Sequence, residues 1–476
     1  MGQAYLSEAF WGANRLDTMT ALTQPIRIVF NTNEPGYKAK TWLAYIAVFT
    51  LMAGDSVRYS IGWYGWGAVL LLLFAASMTL FIKNQPITAI REIPWPMWAV
   101  FGWMALSTIW SAYPAITALA VFAQLCTTAF ALFLVSLFSW RHLVRVFANV
   151  IRFILGASLI FEFIAAAIVH GPIAPIFKNY TGNKPPAAAF YWTQGHLFDG
   201  ERIQGIVGNS NLLAFVAMLG VVTFAVEYAI IGTKRWISVV CLIGSLAAML
   251  LAKSAGIGFA MAAILVAAIV SIAAEGKDRD VRHKYYRIAW AFAGTIGVIV
   301  LFYRATVFEF FGKSPDMTGR SGIWKLVLGL IEQRPVLGWG WTSHWMPGVK
   351  PYEGLVVINH VPYYQAHNAF LDVWMQLGIF GLAIFALLLL TTFIPLWRLA
   401  VRHTSSLYLW PILLFIGLLV QAMVESRMLI ELGWVLLVIF AAKSREPDEV
   451  LEPRGRSPKR ARVIASLKQF LPKQLR

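Results

Sequence analysis

Arg202, Arg320, His367 and Arg427 are the residues of this 476-residue chain whose types could do chemistry together. Arg202 lies in GERIQGIVGNSNLLAF, just before an apolar run whose helix Asn209 or Asn211 could cap. Arg320 opens TGRSGIWKLVLGLIEQRP, and His367 with Asn368 stands at the mouth of another apolar run. Glu425 and Arg427 sit in VESRM, between the last two such runs. Alternation of loops puts all of them on one side of a membrane, where Lys253 also falls. Two guanidinium forks beside helix amino termini suit a pyrophosphate, because they match its oxygens and keep their charge. A single histidine, titrating at about 6.5 when unperturbed, could take a proton from an attacking hydroxyl. The bland alternatives are specific. Arg202 and Lys253 could snorkel to lipid headgroups; Arg320 could pair with lipid phosphate or Asp316; His367 could only cap its helix. Glu425 could pair with Arg427, orient His367 or bind an acceptor.

Other chemistries find less support. His344, His360 and His367 share one loop but form no short-spaced pair, and no clustered carboxylates join them, so no metal site is expected. Nothing resembles a P-loop, a dinucleotide fingerprint or a nucleophile elbow, so neither a cofactor nor a soluble nucleotide-sugar donor is implied.

The elements that must position these residues are membrane spans. The chain is 59% hydrophobic and 13% charged, with a mean hydropathy of +0.65. Apolar runs approaching the roughly 20 residues of a membrane-crossing helix recur between Thr41 and Lys443, and we read about twelve of them. The predicted fold is an all-α integral membrane protein. Its net charge of +17 is spread over short loops and follows the positive-inside rule, which argues against nucleic acid and places both termini in the cytoplasm. Residues 1–40 read as a polar cytoplasmic leader rather than a cleavable signal, 41–443 as the membrane domain, and 444–476 as a basic cytoplasmic tail. Cys126 and Cys241 lie in apolar runs and imply no disulfide. Trp63, Trp66, Trp95, Trp98, Trp110 and Trp140 fall near span ends, where indoles anchor at headgroups.

Two long outer loops are expected, 170–205 and 306–368, the second between the ninth and tenth spans. In the second, Ile323, Val327, Leu330 and Ile331 recur at helical spacing, Ser321 or Thr318 could cap the helix, and Pro335 should end it. This helix should lie on the membrane surface or the bundle. The loop's many aromatic residues suggest a working surface rather than a tether.

TGRSGIWKLVLGLIEQRPVLGWGW followed by AHNAFLDVWMQLGIFGL resembles the characteristic segment of the O-antigen ligase and Wzy-type polysaccharide polymerase superfamily. GERIQGIVGNSNLLAF, WSAYPAITA and VESRM also look like landmarks of that family. The resemblance implies a GT-C-type membrane glycosyltransferase, moving a glycan from a polyprenyl diphosphate such as undecaprenyl diphosphate to an acceptor sugar. The transfer would take place on the outer face of the cytoplasmic membrane, with inversion and without a metal. It implies His367 as general base and Arg202 and Arg320 as the diphosphate-binding residues. Lys253, Asn368, Glu425 and Arg427 are candidates for acceptor binding or support. Where many members carry an arginine after the serine of AKSAG, this chain has Ala255, a place Lys253 could fill. The motifs do not separate ligation of a finished chain from polymerisation of repeat units. A transporter or flippase for lipid-linked sugars is the rival reading; it needs charges near the membrane midplane, for which Glu162 is a candidate.

Overall fold

A computed structural model describes residues 36–83, 93–177, 190–230, 234–302, 320–358, 361–403 and 405–444. Most of the leader, the tail beyond 444, Asp316, Thr318 and His360 lie outside the described residues.

The described chain is almost entirely helical. In order come α1 (Tyr37–Met52), α2 (Gly54–Lys83), α3 (Trp95–Leu106), α4 (Pro114–Leu137) and α5 (Trp140–Phe163), which widens into a π-type turn to Val169. Then follow α6 (Ser210–Ile230), α7 (Arg235–Ala252), α8 (Ala255–Ala274), α9 (Arg279–Phe302) and the loop helix α10 (Arg320–Gln333). A two-residue hairpin, β1 (Val357–Ile358) with β2 (Val361–Pro362), precedes α11 (Ala369–Arg402), α12 (Leu409–Ala422) and α13 (Glu431–Lys443). Every apolar run read from the sequence carries a helix. Among the described residues 7 helices are long and apolar enough to cross a membrane. The remaining ones are shorter or, in α9, open on a charged stretch.

The bundle is built around α13, a helix of 13 residues in which every side chain from Leu432 to Lys443 is buried. A helix apolar on all sides needs partners on all sides, and α13 finds them in α1, α4, α11 and α12. Buried indoles here are satisfied: Trp434 Nε1 donates to Thr128 Oγ1 (2.8 Å) and Trp410 Nε1 to Thr223 Oγ1 (3.0 Å). Trp140, expected at the headgroups, is instead 2% exposed and packs beside Trp410 and Phe440. Its place at a span end did not reveal that this end is enclosed by α12 and α13. Trp63, Trp95 and Trp98 are exposed, as an interfacial anchor must be.

A second, smaller core belongs to the outer loop. The predicted face of α10, Ile323, Val327, Leu330 and Ile331, packs against Trp345, Tyr352, Ala366 and Met375. Trp345 and Tyr352 stack with ring centroids 5.5 Å apart, and Tyr352 hydrogen-bonds Tyr113. Both are about 1% exposed. Several of the loop's aromatics are therefore the loop's own core rather than an open surface.

That loop is keyed into α11 through a break the sequence did not announce. Gly378 interrupts the helix at φ 68, where a Cβ would meet the Val336 carbonyl oxygen at 1.9 Å. Only glycine fits such a conformation at such an approach. The freed carbonyls of Met375, Gln376 and Leu377 accept from Trp339 N (3.0 Å), Gly340 N (2.9 Å) and Trp103 Nε1 (2.9 Å). The kink thus fixes the end of α10 and the GWGW segment over the mouth of α11.

Candidate functional site

The carboxylate of Glu425 is the hub of the site. It lies between α12 and α13, and its backbone N–H bonds the Gln421 carbonyl at 2.8 Å. Its Oε2 lies 2.9 Å from His367 Nδ1, and its Oε1 accepts from an Arg320 terminal nitrogen at 2.7 Å. Asn211 Nδ2 reaches the same Oε1 at 3.4 Å. Asn211 Oδ1 in turn accepts from Arg202 (2.7 Å) and from Ser254 Oγ (3.0 Å). Arg202, Arg320 and His367 therefore join one hydrogen-bonded network at one end of the bundle.

Each residue is held by local structure. Asn209 caps α6, its side chain accepting from the N–H groups of Asn211 (2.9 Å) and Leu212 (3.1 Å), which frees Asn211 to act as the bridge. Arg202 is pinned by Nε to the Ala252 carbonyl (3.0 Å) at the end of α7. The loop behind it is anchored by Glu162, wholly buried, whose Oε1 accepts from Thr193 Oγ1 and from the N–H groups of Gln204 and Gly205. The acid offered for a transporter's midplane is thus engaged in holding this loop. Arg320 is the first residue of α10, where unpaired N–H groups and the helix dipole favour an anion.

His367 has φ 50, a left-handed conformation that is uncommon for a residue with a side chain. What holds it there is Asn368 on one side and Asp372 on the other. Asn368 caps α11 through Phe370 N (3.0 Å) and Leu371 N (3.1 Å) and donates to the Met423 carbonyl (3.1 Å). Asp372, 1% exposed, accepts from Ala366 N (3.0 Å), from Trp345 Nε1 (2.8 Å) and from Ser426 Oγ. One carboxylate thereby ties the residue before His367 to the residue after Glu425. Asp372→Asn turns one acceptor into a donor among these three donors and should cost about 2 kcal/mol or more. Thermal unfolding of the purified chain in detergent checks this; an unchanged midpoint would deny Asp372 its positioning role.

Burial pushes the Glu425 carboxyl up, but the His367 charge and hydrogen bond, then the charges of Arg427 and Arg320, outweigh it and hold it at about 2. Glu425 is therefore ionised at neutral pH. Arg202 is drawn below its usual value by burial, with Glu425 opposing and the nearby Arg320 charge adding to the fall. Two guanidinium groups that feel one another, with a single carboxylate among them, leave a net positive field suited to a dianion. Arg427 adds charge to this field, but among the described residues it makes no salt bridge to Glu425, and its Nε is buried without a partner. The sequence-local pairing of Glu425 with Arg427 gives way to a tertiary one with Arg320 and His367. Lys253 ends α7 at φ 48 and donates to the Gly200 carbonyl, so it braces the Arg202 loop instead of joining the hub.

His344 is exposed and makes no hydrogen bond to this network, its Nδ1 lying near its neighbour Trp345's carbonyl oxygen. Among the described residues no three His, Cys, Asp or Glu side chains are grouped to hold a metal ion. Tyr363 flanks His367, ring centroids 5.7 Å apart. A narrow cleft, with room for little more than one water-sized group, lies beside the hub, with Asn211, Ser254, Arg320, Gln421 and Glu425 in its wall. Asp372 and Gln421 escaped the sequence reading, and Asn211 entered it only as a cap. The available signal was an ionisable residue in the first turn of an apolar span, which must find partners to be tolerated there.

Residues 206–386 match the family described as O-antigen ligase. This stretch carries Arg320 and His367 with the helices that present them. Over this stretch the chain is similar to the O-antigen ligase/Wzy-type superfamily. The chain is also 27% identical over 197 residues to the exopolysaccharide production protein ExoQ of Rhizobium meliloti (strain 1021), a stretch covering 40% of this chain. The alignment spans 45% of that relative's length. Its apolar helices, together with that match, indicate a multi-pass membrane protein. Arg202 and Glu425 fall outside the matched stretch yet share the network with residues inside it.

Proposed function

We propose that this chain is a membrane glycosyltransferase that moves a glycan from a polyprenyl diphosphate to an acceptor sugar hydroxyl. The observation that carries the reading is the His367–Glu425–Arg320 contact, in which a charged carboxylate orients an imidazole beside a cationic anion site. With Nδ1–H donating to Glu425, the Nε2 lone pair is left to accept the acceptor's hydroxyl proton. The hydroxyl oxygen attacks the anomeric carbon from the face opposite the diphosphate. The carbon–oxygen bond to phosphate breaks with its electron pair, and the configuration inverts. Arg202 and Arg320 stabilise the departing diphosphate. These two cations supply the field a divalent ion would otherwise provide, so metal independence is part of the proposal.

The full architecture belongs to the same reading: twelve spans of GT-C type, both termini in the cytoplasm, and the site on the outer face of the cytoplasmic membrane. The alternation of basic loops supports it. The chain is a ligase or a polymerase of cell-envelope or exported polysaccharide; its likeness to a protein of exopolysaccharide production is the reason for naming both.

Deletion of the gene followed by sizing of surface and lipid-linked glycan tests the reading. Long chains retained on lipid identify a ligase, and single repeat units a polymerase. In reconstituted vesicles, movement of labelled lipid with no new glycosidic bond would assign the chain to transport instead.

A further inference from the structure

Gln421 sits in the last turn of α12, 2% exposed, and neither atom of its side-chain amide has a hydrogen-bond partner. It is not merely enclosed, because it forms part of the wall of the cleft beside Arg320 and Glu425. The neighbouring polar groups are already spent: Asn211 and Ser254 bond one another, Asn211 bonds Arg202, and Arg320 bonds Glu425. A buried amide with both its donor and its acceptor idle is rare in native proteins and calls for a partner that the folded chain does not supply.

The chemistry of that partner follows from what is idle. Phosphate oxygens only accept, so they would satisfy the amide nitrogen and leave its oxygen facing another lone pair. Glu425, ionised in the same wall, also repels an anion from this side of the cleft. A hydroxyl accepts from the amide nitrogen and donates to the amide oxygen at once. Gly256 also lines the cleft, and a Cβ there would meet Val424 Cγ2, another lining residue, at 3.0 Å. A two-way hydrogen-bonding group, with room beside it for about one hydroxyl, thus adjoins the cationic subsite.

We infer that Gln421 forms a neutral subsite for a sugar hydroxyl of the glycan being transferred, next to the diphosphate held by Arg202 and Arg320. This rests on the function proposed above. It makes Gln421 a residue that reads the sugar rather than the carrier, and it assigns the two ends of one substrate to two sides of one cleft.

The full-length chain in lipid nanodiscs is tested against three probes. They are undecaprenyl diphosphate without sugar, the glycan-bearing lipid extracted from the host's own membranes, and the free glycan released from it by mild acid. Gln421→Met, which keeps bulk and removes both hydrogen-bonding atoms, should bind the bare lipid within twofold of the wild type and the glycan-bearing lipid at least tenfold more weakly. Gly256→Ala, which narrows the same cleft from α8, should show the same selectivity. A loss confined to the free glycan places the hydroxyl on the acceptor and overturns the assignment to the transferred glycan. Unchanged binding of all three probes means that the amide holds only water, and an equal loss on the bare lipid means that it serves the diphosphate; either overturns the inference. Unfolding of both variants, read by thermal melting, would make Gln421 structural and overturn it too. If the wild type binds neither lipid, the functional reading itself falls, an outcome separate from any difference between variants.

Discussion

His367→Ala should lower glycan transfer by about 10²–10⁴-fold, the usual contribution of a positioned general base, while donor lipid binds nearly as before. The asymmetry follows from the geometry. The imidazole touches Glu425 through Nδ1, whereas the cations expected to hold the diphosphate, Arg202 and Arg320, have their own anchors at Ala252, Asn211 and Glu425. Removing the ring leaves Arg320 on Glu425 and leaves the Asn368 cap and the Asp372 tie in place. Alanine adopts the left-handed backbone at residue 367 less readily than histidine, so a modest added strain is expected there, and a melting temperature read alongside separates it from the loss of the base. Initial rates with purified chain, together with donor binding in nanodiscs, separate the two effects. Turnover equal to the wild type would remove His367 from the mechanism. A matching collapse of donor binding would make it a substrate-holding residue instead.

How far the fold could be read in advance depended on which solvent each segment faces. Apolar runs marked every helix of the bundle, because a backbone in lipid must satisfy itself within the helix. The runs could not show which helices are enclosed. Lipid tails and protein interior are equally apolar, so α13, buried on every side, reads like any lipid-facing span. Trp140 was misplaced for the same reason. The breaks at Gly62 and Gly378 were also invisible, since an isolated glycine in a span is common and only the neighbour it admits reveals its purpose. For Gly378 that neighbour is the Pro335–Gly340 segment, 38 or more residues earlier in the chain.

In the site, the charged residues were legible and their wiring was not. Arg202, Arg320 and His367 stood out because ionisable groups beside apolar runs are costly and few. Glu425 was read against Arg427 because the two are near in sequence, whereas the fold gives its carboxylate to α10 and to the entrance of α11. Neutral polar residues carried no such flag. Asn209 and Asn211 both looked like helix caps; Asn209 is the cap, and Asn211 is the bridge. Gln421 looked like one more residue of an apolar span. Their meaning resides in partners made, or left unmade, across the bundle.

Glu425→Gln should be the most damaging single exchange to stability in the site, and its signature is a pH window. The carboxyl titrates at about 2 in the folded chain against a usual 4.5. At about 1.4 kcal/mol per pK unit the folded state gains on the order of 3 kcal/mol from ionised Glu425. A depressed carboxylate gives that stability in full above the unfolded value of about 4.5. It loses it as pH falls toward 2 and gives none below. The amide keeps the shape but leaves Arg320 and Arg202 without their neutralising charge, and breaking a buried pair from one side costs about 3–5 kcal/mol. Thermal unfolding in detergent should therefore show a lower midpoint for the variant at pH 7 and a much smaller difference near pH 2, because other carboxylates titrate alike in both proteins. Glu425→Asp, which restores the charge at a shorter reach, should recover part of the midpoint and little of the turnover, since His367 depends on where the carboxylate stands as well as on its charge. Equal midpoints for Glu425→Gln and wild type across that range would mean that the hub is a surface ion pair of negligible worth. The acid at the centre of the network would then neither hold the site together nor orient its base.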